Sequence, residues 1–155
     1  MGKSAAWLMA GALCVSCMER RRKKILSAQK KETDKFYDNY QLLSHWLEVK
    51  NRGGSSLEYF REKGYREIAV YGMGELANRL CEELEGTDIC VRYGIDREAC
   101  GTVSRMDRIY APEDALEQVD AVVVTPFYAM DSIRDTLRKK ISCPIVSLEE
   151  VVWSL

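Results

Sequence analysis

Gly72 and Gly74, followed by Ala77, open the stretch of this chain whose residue types and spacing suit chemistry. The run Gly72-Met73-Gly74-Glu75-Leu76-Ala77 fits G-x-G-x-x-G/A. In that pattern the first glycine permits a tight turn, the second lets a pyrophosphate approach the backbone, and the small sixth residue lets a helix pack closely on a strand. Amides at the start of that helix then point at the phosphates. Asp96 follows Gly72 by 24 positions, near the spacing of roughly 20 at which a carboxylate accepts hydrogen bonds from ribose hydroxyls. Its charge repels a 2′-phosphate, an effect that Arg97 beside it blunts. Glu75 works against the site: it suits the positive end of a helix, and there it competes with a phosphate for the same end unless it turns outward to a sugar hydroxyl.

These residues work together only if a strand precedes the glycines and a helix follows them, and the pattern of the chain predicts both. Glu67–Tyr71 is a β-branched and aromatic run suited to a buried parallel strand. Leu76, Ala77, Leu80, Cys81 and Leu84 fall on one helical face that Gly86 closes. A second strand, Ile89–Ile95, delivers Asp96 at its end. A weak third strand is expected at Arg108–Tyr110 with Pro112 starting a short helix, a fourth at Ala121–Thr125, a helix at Met130–Lys140, and a fifth strand at Pro144–Ser147. Before these, Ser55-Ser56-Leu57-Glu58 has the spacing of a capping box, in which Ser55 accepts from a backbone amide and Glu58 reaches back, for a helix ending at Gly64. Strands alternating with helices imply an α/β fold: a Rossmann-like parallel sheet of about five strands with flanking helices, preceded by a long N-terminal helical segment. The domains are expected at 1–18 (membrane anchor), 19–54 (basic neck and connecting helix) and 55–155 (the α/β body).

On these residues the body resembles the NAD(P)-binding Rossmann superfamily. Val119-Asp120-Ala121-Val122-Val123-Val124-Thr125-Pro126 looks like the fourth-strand segment of glucose-fructose and inositol dehydrogenase-type oxidoreductases. The Thr-Pro pair of that family lines the cofactor cleft, which implies that Thr125 and Pro126 face the ligand. The body is also similar to the small nucleotide-binding modules of bacterial polysaccharide-biosynthesis proteins. The resemblance covers about 90 of the 155 residues. It departs from the dehydrogenases after Thr125-Pro126, where Phe127-Tyr128 stand in place of a histidine, and the large second domain with its catalytic lysine and histidine is not matched by any of these 155 residues. The expected site is Gly72, Met73, Gly74, Glu75, Asp96, Arg97, Thr125 and Pro126, at the ends of the first, second and fourth strands. Its ligand is expected to be NAD or NADP, with a nucleotide sugar second. The alternatives are a degenerate fold serving as a protein-interaction module and an NAD(P)-dependent oxidoreductase.

No acid, base or nucleophile converges with the glycine loop: Tyr128 and Glu75 are the only proton-handling groups expected near it, and neither has a visible partner. The D/E-x-G-x-G loop of methyltransferases is not matched, since Val70 stands two before Gly72. Tyr59 and Lys63 have the Tyr-x-x-x-Lys spacing of short-chain dehydrogenases but precede the glycine loop, so they read as a solvated helix face. His45 is the only histidine, so no zinc site is expected, and the six cysteines read as reduced and mostly buried thiols of a cytosolic protein.

Ala5–Met18 is fourteen uncharged residues, about 21 Å of helix against the roughly 30 Å of a bilayer core. It is followed at once by Arg20, Arg21, Arg22, Lys23 and Lys24, which can reach headgroups on the cytoplasmic side. The expectation is a chain held on the inner membrane face through residues 5–18. A frayed tail on a soluble cytoplasmic protein, a start of translation at Met18 and a cleaved signal are the competing accounts. Between Glu19 and Lys35 eight basic residues face three acidic ones, yet the whole chain has a net charge of −1, which gives no bias toward nucleic acid. Lys23–Lys50 lacks Gly and Pro, and Phe36, Tyr40, Leu43 and Leu47 recur as one helical stripe. That stripe is expected to pack on the chain's own body or, as the alternative, to form a homodimer or partner contact, with Gly53 and Gly54 ending the helix.

Overall fold

In a computed structural model of the 155-residue chain, residues 2–97, 106 and 108–155 are described, residues 2–17 by their backbone alone. The chain divides into two compact units, Met1–Gln41 and Leu42–Leu155. One helix, α1 (Gly2–Asn51), makes up the described part of the first unit and contributes its last turns to the second. It starts well before the expected Lys23, because nothing from the apolar run to Asn51 breaks a helix except Gly11, which costs about 1 kcal/mol relative to alanine. Gly53, at φ +87°, stops it as expected.

The body follows the expected alternation. After α2 (Ser56–Lys63) come β1 (Glu67–Tyr71), α3 (Glu75–Leu84), β2 (Cys90–Ile95), β3 (Ile109–Tyr110), β4 (Ala121–Val124), a 3-10 turn (Phe127–Ala129), α4 (Met130–Leu137), β5 (Ile145–Ser147) and α5 (Leu148–Trp153). The five strands form one parallel sheet in the order β3-β2-β1-β4-β5, which makes this a Rossmann-like α/β fold. The chain therefore builds outward from β1 to one edge, then crosses back to lay β4 on the other side of β1. The ends of β1 and β4 are the switch point of the sheet.

Alternation along the strands divides the core in two. Ile68, Val70, Ala121 and Val123 face a layer that includes Tyr59, Phe60, Leu76, Ala77, Leu80, Val151 and Val152. Ala69, Tyr71, Val122 and Val124 face Ile133 and Leu137 of α4. A shift of register between Ile68 and Ala69 pairs Ala69 with Tyr93, so that Tyr93 and Ile95 join the second layer. Asp120 pins the entry to the sheet, its carboxylate accepting from the Arg66 and Glu67 amides at 2.7 and 2.8 Å. Those bonds hold it below the usual carboxylate range.

Several expectations are corrected. The face of α1 that packs on the body is Leu42, Trp46 and Val49, each less than a tenth exposed. Phe36, Tyr40, Leu43 and Leu47 are instead 73, 65, 39 and 60 % exposed. Both sets have helical spacing, and at 100° per residue their centres lie about 120° apart, so a single packing surface takes only one of them. Burying Leu42 and Val49 contributes about 1.5–3 kcal/mol each, and the Trp46 indole gains a hydrogen bond to Glu83 at 2.7 Å. His45 stacks on Trp153 with ring centroids 4.1 Å apart, a packing role.

Ser55 caps α2 by accepting from the Leu57 amide at 3.2 Å, but Glu83 of α3, rather than Glu58, completes the cap. Residues 111–114 form a turn in place of a helix at Pro112, because Asp114 accepts from the Ala111 amide and closes the chain back on itself. The helix expected to reach Lys140 ends at Leu137. The short helix α5 was not expected; its cap, Ser147 accepting from the Glu150 amide at 2.9 Å, has the same Ser-x-x-Glu spacing as Ser55 and Glu58. Of the described cysteines none is fully buried: Cys81 and Cys143 are half-buried and Cys90 is exposed. Cys100 and the side chains of Cys14 and Cys17 lie outside the described residues. Among the described residues no helix is long and apolar enough to cross a membrane; the side chains of residues 5–17 lie outside them.

Candidate functional site: the glycine turn at the switch point

β1 ends at Tyr71, and the chain must turn at once to start α3 at Glu75. Gly72 makes that turn at φ +85°, a left-handed conformation that strains any residue with a Cβ. A Cβ there would also stand 2.6 Å from Pro126 Cδ and 2.9 Å from Thr125 Oγ1. The end of β4 thus closes directly over the turn. The Thr125 hydroxyl, at a residue 5 % exposed, donates to the Gly72 carbonyl at 2.6 Å and lies 3.2 Å from that of Tyr71. The Thr125-Pro126 pair therefore acts as a clamp on the glycine turn.

Asp96 holds the turn from the other side. β2 delivers it beside the loop, where its Oδ2 accepts from the Met73 amide at 2.7 Å. The Met73 side chain points the other way, into the core, and sits so close to Gly94 that a Cβ there would lie 2.6 Å from its sulfur. Only the backbone of Met73 belongs to the outer side of the loop. Gly94, which sequence reasoning passed over, is thus the residue that lets the loop settle on β2.

Gly74 is the open point. It is exposed, its backbone is extended (φ −91°, ψ −163°), and a Cβ built on it meets nothing within 4 Å. As the N-cap of the ten-residue α3 it supplies no side-chain cap. The first amides of α3 are then in the state in which a helix start accepts an anion. Glu75, with a side chain 68 % exposed, turns back along α3 to pair with Arg79 at 2.9 Å, and Arg79 also holds Glu82 at 2.6 Å. Such a surface pair adds little stability, but it draws the Glu75 carboxylate along the helix rather than out to a sugar hydroxyl.

The structure therefore gathers Gly72, Met73, Gly74, Asp96, Thr125 and Pro126 around one turn, with Glu75 and the exposed Arg97 at its rim. Tyr128 follows on the 3-10 turn, 52 % exposed, its ring 6.3 Å from that of Phe127. One further residue was missed. Asn78, one turn into α3 with its amide bonded to the Gly74 carbonyl, has a buried Oδ1 with no hydrogen-bond partner among the described residues. Its signal was a lone amide on a helix otherwise built of apolar and charged residues.

Groups whose acidity the fold shifts lie elsewhere. Burial pushes Tyr93 up to about 12 within β2, where its hydroxyl donates to the Glu117 carbonyl. Burial likewise raises the Cys81 thiol, and it raises Tyr59 together with a hydrogen bond to Glu150. Among the described residues no cluster of His, Cys, Asp and Glu could hold a metal ion. A depression of about 610 Å³ opens where α3 ends and β2 begins, lined among others by Cys81, Asp88, Cys90, Arg92 and Arg108, and no residue of the expected site lines it. It lies at the far edge of the sheet, since a crossover helix that starts at the loop ends at the opposite side. Compared with known proteins, the chain matches no family model, and neither a curated protein nor a solved structure resembles it closely enough to count as a match.

Proposed function

We propose that the α/β body binds an adenine dinucleotide, NAD or NADP, at the ends of β1, β2 and β4, and does so without catalytic machinery of its own. The observation that carries this reading is the contrast between the two glycines. Gly72 is closed in by Thr125 and Pro126, whereas Gly74 is bare at an uncapped helix start, as a backbone approached by a pyrophosphate requires. Asp96, already bonded to the loop, stands where a carboxylate meets ribose hydroxyls. The likeness to nucleotide-binding modules of polysaccharide-biosynthesis proteins makes a nucleotide sugar the second ligand class and an accessory role in that biosynthesis the context. Against catalysis stands the composition of the rim, where Glu75 is paired to Arg79 and, among the described residues, no acid–base pair faces the turn. The second reading, a protein-interaction module, is favoured by the inward use of the Thr125 hydroxyl and the Met73 side chain.

The test is a thermal melt of the full chain with NAD, NADP, a UDP-sugar and S-adenosylmethionine in turn. Ligand at about 100 times its Kd adds about 2.7 kcal/mol, so NAD is expected to raise Tm by roughly 5 °C or more. No shift with any of the four at millimolar concentration would favour the interaction module.

The same proposal places the body on the cytoplasmic face of a membrane. Its support is the apolar run Ala5–Met18 on α1, followed by the exposed Arg20–Lys24, each attracted to anionic headgroups by about 1 kcal/mol. The full chain is expected to stay with anionic vesicles in molar salt and leave in detergent, whereas a chain starting at Met18 washes off in salt. Full-length chain in the soluble fraction would contradict the anchor.

A further inference from the structure

An exposed apolar stripe runs along α1, and it is more than scattered exposure. Phe36, Tyr40, Leu43 and Leu47 follow one another at steps of four, three and four, which are the d, a, d and a positions of two heptads. Tyr37 flanks them, 60 % exposed, and Leu26, 61 % exposed, occupies an a position two heptads before Tyr40. The intervening positions, Gln29 and Thr33, are polar, so the seam is short.

We propose that this stripe is the contact between two copies of the chain, paired helix to helix through Phe36, Tyr40, Leu43 and Leu47. Three observations favour a second copy over another occupant. The first is the spacing, since an a/d seam interlocks with an identical seam about a two-fold axis. The second is area: with three aromatic residues among five exposed side chains, the stripe offers on the order of 600 Å² per chain, at the top of what a monomer usually leaves bare and approaching the ~800 Å² per partner of a stable interface. The third is charge. Between Phe36 and Leu47 the flanking e and g positions are Tyr37, Asn39, Ser44 and Trp46, so identical chains bring no like charges together there. A membrane surface is the weaker match, because none of the a, d, e or g positions between Phe36 and Leu47 is basic. The pairing is independent of what the glycine turn binds.

The test is sedimentation equilibrium of the full chain in density-matched detergent. The wild type is expected at twice the chain mass, with dissociation on dilution. Tyr40→Lys together with Leu47→Lys is expected to weaken dimerisation at least a hundredfold while leaving the far-ultraviolet circular dichroism unchanged, since neither side chain is buried. Tyr40→Leu, which keeps an apolar a position, should retain the dimer. A wild type that sediments as a monomer at high micromolar concentration, or a dimer that the double lysine variant leaves intact, would overturn the proposal. Association of the stripe with lipid instead, seen as loss of vesicle binding in the double variant with no change of mass, would overturn it as well.

Discussion

Replacing Glu83 by alanine is expected to destabilise the body by about 3–5 kcal/mol, the range for stripping one partner from a buried, charged hydrogen-bond network. The Glu83 side chain is 5 % exposed, and it ties three elements together. One oxygen accepts from the Trp46 indole at 2.7 Å, the other from the Ser55 hydroxyl and the Ser56 amide at 2.8 Å each, and Lys50 lies 3.4 Å away. Its removal leaves those donors without their acceptor, and the end of α1 and the start of α2 lose their common anchor on α3. The effects will not add as separate bonds, because the donors share one carboxylate. Burial pushes Glu83 upward, but the Ser56 amide, the Ser55 hydroxyl, the Lys50 charge and the Trp46 indole outweigh it and hold the carboxyl below the usual range. A lowered native value means that the stabilisation is fully present above the ordinary glutamate range and is lost as pH falls through the native value. Chemical denaturation followed against pH should therefore show an acid limb that Glu83→Gln flattens. An unchanged midpoint for Glu83→Ala would remove Glu83 from its structural role.

The second large effect is expected at Gly72. Gly72→Ala puts a Cβ at φ +85° and within 2.6 Å of the Pro126 ring, so strain and overpacking act together. Backbone strain of about 1–3 kcal/mol and overpacking of similar size give an expected loss near 3 kcal/mol. Thr125 and Pro126 must also shift, so the variant should lose ligand along with stability. A Gly72→Ala chain that melts like the wild type would mean that the clamp from β4 is not formed.

How much of this was legible in the sequence follows from which residues answer to local rules. β1, α3 and β2 were readable because a β-branched run, a glycine turn and one apolar helical face each demand a single geometry, and the parallel order followed from their alternation. The site residues were found for the same reason, but their directions were not. Nothing in the sequence says that the Thr125 hydroxyl turns back to the Gly72 carbonyl, or that Met73 is drawn inward by the space above Gly94; both depend on a strand far along the chain. The packed face of α1 was misjudged because two stripes of equal periodicity compete. The choice between them is made by Glu83, whose bond to Trp46 no local pattern reveals. A sign of it was present, for Glu83 falls seven residues after Leu76 on the apolar face of α3, an acid where leucine would be expected. The helix α5 was not read: Ser147 and Glu150 have the spacing of a cap, but six residues make too few turns for an apolar periodicity to stand out.

The central claim is that the bare backbone at Gly74 receives the phosphates of a nucleotide, and calorimetric titration of NAD into the full chain and into Gly74→Val tests it most directly. A Cβ at Gly74 meets nothing within 4 Å and the backbone there is extended, so valine should fold with a cost of about 1 kcal/mol or less, from the poorer cap. The same side chain stands where the pyrophosphate must come. The account predicts saturable binding of one NAD per chain by the wild type and at least a tenfold loss of affinity in Gly74→Val. Equal affinity in the two proteins, or no heat of binding in the wild type, would contradict it.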